Sequence, residues 1–395
     1  MYFFLLVAGY YFLKPLSRGL YLTYLGADNL PYVWIATTLV LSIVIPLFQW
    51  KISRIHPLAL ILTLILSLTI LLTFFRFILD VPGRASAFGF YVLVDVYSVL
   101  IIENFWSLTN ASYNSEAGKK WYGLVGSGGL LGGLAASTAA SKLIELFSFT
   151  PLDLIVISIG IFLLSMCIVL LMNKKGYVVR TEVDSKVKSM DFAEIYRSLV
   201  KSSYLRWITC LLLAAQLIEP LVEYQFMAAV QSEIVSLSDR TKYVSDIFAY
   251  TSLFGLFINL AFVPLVHTVG GLAAGLLLQP ILIGLTTLTY FFWQSLLSVS
   301  LLKILDRGLA YSSGRASREL LYIPFDSTSI FKLKAWIDVY GYRLFKIFGS
   351  LLLLIVTRWA SFFTSTGIIT AAILLIVFIW VKVIIRIKSY VNSGS

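Results

Sequence analysis

Histidine and cysteine are almost missing from this chain, with two of each in 395 residues. His56 and His267 stand at the ends of apolar runs, and Cys167 and Cys210 stand inside them. A histidine-based metal site or catalytic triad is therefore not expected. The cysteines read as small core hydrophobes, not as a disulfide or a metal pair. With no nucleophile–base set and no ligand cluster, neither an enzyme nor a bound cofactor is expected. Charge is scarce too: 13% of the residues are charged, against about 25% in a soluble domain. A phosphate loop is missing, because the glycines at 123–133 lack the Gly-Lys-Ser/Thr ending that such a loop needs. A cleavable signal peptide is not expected either. The first apolar run is long, contains Lys14 and Arg18, and has no small-residue cleavage site. The chain starts almost inside that run, which leaves room for a natural N-terminal extension.

What remains is apolar. The chain is 59% hydrophobic, with a mean hydropathy of +0.89. A bilayer is crossed by about 20 apolar residues. Apolar runs with polar breaks give approximate spans over 2–24, 31–50, 57–79, 86–108, 122–147 and 151–172, then 204–230, 243–266, 270–292, 294–314, 335–357 and 364–388. The chain reads as an all-α membrane protein of about twelve transmembrane helices in two six-helix halves. Residues 1–172 form an N-terminal bundle, 173–203 a cytoplasmic linker and 204–395 a C-terminal bundle. In the linker, Met190–Val200 fits either a short amphipathic surface helix or a solvated connector.

Orientation follows from lysine and arginine. They crowd the 2–3, 4–5, central and 10–11 loops and the C-terminal tail, and are sparse in the alternate loops. Both termini and the linker are expected in the cytoplasm. The net charge of +11 is explained by this loop bias, so a nucleic-acid partner is not expected. Arg76, Lys142 and Glu145 lie close to span ends and read as snorkelling or interfacial charges.

Other charges fall where lipid should forbid them. Lys14 and Arg18 lie in span 1, Asp95 and Glu103 in span 4, Glu219 and Glu223 in span 7, and Lys303, Asp306 and Arg307 in span 10. A charge at bilayer depth costs about 2.5–3.5 kcal/mol even on lenient scales, so such residues face a bundle interior or a watery path. Lys14/Arg18, Glu219/Glu223 and Lys303/Arg307 are each four apart and share a helix face. Spans 1, 4, 7 and 10 form a regular series. Two six-span halves joined by a long cytoplasmic loop suggest the major-facilitator plan, in which these four spans line a central cavity. The warrant is fold-level analogy, and the Gly-Asp-Arg run usual in the 2–3 loop is replaced by Lys51-Ile52-Ser53-Arg54.

Opposite charges across an empty cavity neutralise one another. An anionic solute then recruits Lys14, Arg18, Lys303 and Arg307, while Glu103 and Glu223 trade partners. Arginine suits phosphate or carboxylate through its planar fork. The competing reading is structural: the charges staple helices, close a cytoplasmic gate or, for Arg18, snorkel outward. Asp95 and Asp306 are the weakest candidates. Tyr10, Tyr11, Tyr91, Phe105, Trp106 and Tyr224 lie near these charges and either stack a planar ring or, more commonly, pack helices. Gly123, Gly126, Gly128, Gly129, Gly132 and Gly133, with Ala135, Ala136, Ala139 and Ala140, give the small-residue spacing of close helix contact.

The stretch Tyr322-Ile323-Pro324-Phe325-Asp326, followed by Lys334-Ala335-Trp336-Ile337-Asp338-Val339-Tyr340-Gly341-Tyr342-Arg343-Leu344-Phe345-Lys346, closely resembles the YIPLD and KAAIDVVGSRLGK runs of the nucleotide transporter family. These are the ATP/ADP translocases of plastids and of obligate intracellular bacteria. Glu103-Asn104-Phe105-Trp106, Ser115-Glu116-Ala117 with Trp121-Tyr122-Gly123, and Leu221-Val222-Glu223 resemble further family stretches. The resemblance runs through both halves. It implies a twelve-span, facilitator-like antiporter exchanging nucleotides such as ATP and ADP. By position, Glu103 and Glu223 match family glutamates, and Lys14 matches a family basic residue. Within the 10–11 motif, Asp338, Arg343 and Lys346 are candidates for a cytoplasmic gate. Two departures stand out. The family's Lys-Asp pair in span 1 aligns with Ser17 and Arg18, and its Phe-Asp-Pro core after span 10 is absent from Ala310–Glu319.

The expected function is secondary active transport of a small anionic solute, nucleotide first, through a lipid bilayer, by a monomer. Lys14, Arg18, Glu103, Glu219, Glu223, Lys303 and Arg307 are the candidates for binding and coupling. Two alternatives stay open. One is a proton- or cation-coupled facilitator for another anionic metabolite or lipid, with Glu219 and Glu223 carrying the proton. The other is a non-transporting membrane module.

Overall fold

A computed structural model describes residues 1–52, 55–112, 115–176, 202–312, 321, 341–359 and 362–393. The linker helix expected over Met190–Val200, the Tyr322–Asp326 motif and the gate candidate Asp338 lie outside them.

Twelve α-helices follow one another among the described residues, with no strand. They are α1 (Tyr2–Tyr24), α2 (Leu30–Ile52), α3 (Pro57–Ile78), α4 (Arg84–Ser112), α5 (Ser115–Phe147), α6 (Asp153–Lys174), α7 (Ser203–Glu233), α8 (Leu237–Phe257), α9 (Val263–Phe292), α10 (Leu296–Tyr311), α11 (Tyr342–Trp359) and α12 (Phe362–Ser393). Among the described residues nine helical stretches are long and apolar enough to cross a membrane. Helices α1, α10 and α11 are not among these stretches. Charge sets apart α1, with Lys14 and Arg18, and α11, with Arg343, Lys346 and Arg358, while α10, which holds Lys303, Asp306 and Arg307, has only 16 residues.

Helix ends follow local chemistry. His56 caps α3, its ring nitrogen accepting from the Leu58 amide at 3.3 Å, with Pro57 in the first turn. Ser295 caps α10 in a reciprocal box with Ser298. A π-helical turn at Ile258–Phe262 follows α8. The break expected near residue 270 falls at Gly271, whose φ of 65° suits glycine and interrupts α9.

The chain forms two compact units. Unit 1 holds Met1–Lys186 and Gln231–Leu253, and unit 2 holds Val187–Val230 and Phe254–Ser395. In unit 1, α1 packs on α4, α5 and α6. Leu6, Leu13, Leu16 and Leu20 of α1 repeat at helical spacing and meet Ile61, Ile65, Leu68 and Leu72 of α3 in one buried cluster. In lipid, close packing rather than water exclusion holds such helices together. The glycine-rich face of α5 is used in that way. A Cβ on Gly132 would strike the Phe4 carbonyl, and one on Gly133 would lie 3.0 Å from the Ser252 hydroxyl and 3.2 Å from Tyr11. Gly126 and Gly128, by contrast, have nothing within 4 Å. Residues Gln231–Leu253 are tied into the unit by polar contacts. Arg240 donates to the Ile234 carbonyl at 2.7 Å, and to Thr23 and the Gln231 carbonyl at 3.1 Å each. Lys242 pairs with Glu145 at 3.0 Å.

In unit 2, α9 packs on α10 and α12, and α11 packs on α12. The Gln225 amide donates to Thr370 at 3.2 Å and ties α7 to α12. Gly349 lets α11 approach α7, since a Cβ there would lie 2.6 Å from the Pro220 ring.

One expectation is corrected. Cys167 and Cys210 are free but exposed on α6 and α7, so they are not core residues. Arg76, Lys142 and Glu145 lie near helix ends and form ion pairs there. Lys142 and Glu145 pair at 2.9 Å, and Arg76 pairs with Asp80 and reaches Asp153 at 3.9 Å.

Candidate functional site

In unit 1 the charges gather around two helices. Arg18 sits in the middle of a leucine-rich stretch of α1 and is 5% exposed, so it is buried rather than snorkelling. Its Nη2 lies 2.7 Å from Oδ1 of Asp95 on α4, and its Nη1 donates to the Ser17 hydroxyl at 2.9 Å. The guanidinium stacks on the Tyr91 ring, 4.1 Å from its centroid. That ring is fixed in turn: the Trp34 indole donates to its hydroxyl at 2.9 Å, and Tyr21 meets it edge-on at 5.2 Å. One turn earlier on α1, the Lys14 ammonium lies 4.9 Å from the Phe248 ring centroid, 5.4 Å from Tyr10 and 5.7 Å from Tyr11. Ring faces attract such cations through their quadrupole. Glu103 is exposed on α4, two turns beyond Asp95. Its neighbours Phe105 and Trp106 serve packing, with Phe105 stacked on Phe3 at 4.1 Å.

Unit 2 builds a chain of ion pairs. Lys303 on α10 is 3% exposed and pairs with Glu223 on α7. One turn along each helix, Arg307 pairs with Glu219 at 3.0 Å and with its neighbour Asp306 at 2.9 Å. Asp306 is 1% exposed. The close approach of Gly349 to Pro220 brings α11 beside Glu219, and Lys346, one turn before Gly349, adds its positive charge there. Arg343 is half-buried on the same helix.

The structure thus joins Arg18 with Asp95, and Glu219, Glu223, Lys303, Arg307 and Lys346 with Asp306. The two carboxylates ranked weakest from the sequence, Asp95 and Asp306, are direct partners of arginines. A signal for this was present. Lys14-Pro15-Leu16-Ser17-Arg18 in α1 and Glu219-Pro220-Leu221-Val222-Glu223 in α7 share one spacing around a proline, with opposite charge. A cation on the first helix of one half and an anion on the first helix of the other each call for an opposite partner.

Known proteins resemble this chain in sequence and in fold. The family model for the TLC ATP/ADP transporter matches residues 24–390. The ADP,ATP carrier protein 1 of Rickettsia bellii (strain RML369-C) is 22% identical, with 78% of this chain and 69% of that protein covered. Among solved structures, a bacterial homologue of the iron transporter ferroportin superposes with a TM-score of 0.69 at 13% identity, covering 98% of this chain and 96% of that one. The nucleoside transporter NupG gives 0.59 at 13% identity, covering 97% and 99%. These structural likenesses establish the major-facilitator-type fold. With a family match over nearly its whole length, the chain is a multi-pass membrane transporter, not an enzyme, and belongs to the TLC ATP/ADP transporter family.

Proposed function

We propose that the protein exchanges nucleotides of the ATP/ADP type by alternating access. The observation that carries this reading is the pair of charged sets buried in apolar helices. Arg18 with Asp95, and Lys303 and Arg307 with Glu223, Glu219 and Asp306, are costly to keep in lipid unless they are used. Lys14, Arg18, Lys303 and Arg307 supply the cations that a polyphosphate needs. Glu219 and Glu223 take the cations back when the solute leaves, and Glu103 adds a carboxylate on α4. Both α7 carboxylates already hold cations, which favours exchange over a proton-carrying facilitator. Arg343 and Lys346 serve, with Asp338, as the cytoplasmic gate. The transporter works as a monomer in a bacterial inner membrane, with both termini cytoplasmic.

The test is counter-exchange. Purified protein in liposomes loaded with ADP takes up labelled ATP, and Glu103→Gln or Lys303→Ala abolishes uptake. A broad panel of nucleotides giving no counter-exchange sinks the reading, and uptake into empty vesicles driven by a proton gradient sends the assignment to the coupled facilitator.

A further inference from the structure

Arg18 presents a nearly complete anion site that already holds an anion. Its plane is fixed against Tyr91 at 4.1 Å, and Tyr91 is fixed by Trp34 at 2.9 Å. One terminal nitrogen is held by Ser17 at 2.9 Å and the other by Asp95 at 2.7 Å. Of the ion pair, Asp95 is the more open member, its side chain 13% exposed against 6% for Arg18. The less enclosed part of the pair is thus the edge that Asp95 occupies. Carboxylate and phosphate oxygens are the same kind of partner for an arginine fork. The repeat around the helix prolines adds an independent sign. Arg18 stands where Glu223 stands in α7, and Glu223 pairs with a residue of the fourth helix of its own half, Lys303. Asp95 is thus the fourth-helix partner that the pattern requires.

We infer that Asp95 is a resident competitor of the substrate: its carboxylate occupies the edge of Arg18 that a phosphate group of the transported nucleotide takes. The inference rests on the nucleotide reading above. Binding then displaces Asp95, and Asp95 returns as the nucleotide leaves. The apparent affinity is lowered by the fraction of time for which Arg18 is held. Removing the competing charge therefore tightens binding, whereas removing a merely structural partner weakens it.

Exchange kinetics in liposomes test this with the wild type, Asp95→Asn, Arg18→Gln and the double variant. Asp95→Asn lowers KM for ATP by about tenfold, as expected if Arg18 is held about nine-tenths of the time, and lowers kcat because departure of the nucleotide is no longer assisted. Asp95→Ser, which removes the same charge with a smaller side chain, gives the same fall in KM if the asparagine variant does not fold. In the double variant KM is no lower than in Arg18→Gln alone. An unchanged or raised KM in a folded, transporting Asp95 variant overturns the inference while leaving the nucleotide reading intact. A wild type that exchanges no nucleotide removes both.

Discussion

The two units solve one problem with opposite signs. Both place two charges on their first helix, four residues apart around a proline: Lys14 and Arg18 in unit 1, Glu219 and Glu223 in unit 2. Both answer from the fourth helix, with Asp95 on α4 and with Lys303 and Arg307 on α10. The means differ. On α1 ring faces lie against both cations, Tyr91 under Arg18 and Phe248, Tyr10 and Tyr11 around Lys14, beside the close Arg18–Asp95 pair. Unit 2 holds its cations by carboxylates, in three ion pairs. A cation over a ring is worth about 0.5–2 kcal/mol. Breaking a buried ion pair by removing one partner costs about 3–5 kcal/mol, because it strands a charge. Losing a carboxylate partner such as Glu223 is therefore costlier than losing one ring face beside Lys14.

The largest expected effect is in unit 2. Glu223→Gln leaves Lys303, 3% exposed, without its carboxylate. Exchange is lost and the fold weakens by about 3–5 kcal/mol, measured as denaturant or thermal unfolding in detergent. Swapping the pair, Glu223→Lys with Lys303→Glu, restores most of that stability while leaving exchange absent, because unit 2 then carries the signs of unit 1. If the swapped protein transports at the wild-type rate, the inversion of sign between the units has no functional content. A smaller loss follows from Gly349→Leu. Its side chain meets the Pro220 ring, which lies 2.6 Å from the Cβ position, and pushes α11 and Lys346 away from Glu219. Overpacking of this kind costs about 1–3 kcal/mol. Gly126→Ala, with nothing within 4 Å, serves as the neutral control in unit 1.

Much of this was legible because lipid makes charge conspicuous. Lys14, Glu103, Glu223 and Lys303 stand out within apolar runs, and their series over spans 1, 4, 7 and 10 already suggested the fold. The pairing of Asp95 and Asp306 with arginines was less legible, because each lacks a charged neighbour of its own sign four residues away, the spacing that singled out Lys14/Arg18 and Glu219/Glu223. Their importance comes from partners: Arg18 lies on another helix, and the neighbouring Arg307 also reaches across to α7. The grouping of Gln231–Leu253 with unit 1 was likewise hidden. It depends on Arg240 reaching Thr23 and Lys242 reaching Glu145, contacts between residues far apart in the chain that no local period encodes. The glycines of α5 were read as packing residues; Gly129, Gly132 and Gly133 meet neighbours closely, whereas Gly126 and Gly128 do not.

The smallest predicted effect tests whether ring faces really are the weaker holder. Phe248 is 5% exposed and lies 4.9 Å from the Lys14 ammonium, the nearest of the three rings around it. Phe248→Leu keeps an apolar side chain at that position and removes the π face. The edge contact with Tyr11, at 6.1 Å, goes with it. The expected loss is about 1 kcal/mol of stability, the sum of one cation–π contact and a modest repacking. Transport continues, with a shifted KM, because the cation itself is retained. The decisive readout is the ratio to Glu223→Gln under the same unfolding conditions. A loss equal to that of Glu223→Gln would mean that rings and carboxylates bind these cations alike, and unit 1 would then have no cheaper route to release Lys14 toward an incoming anion.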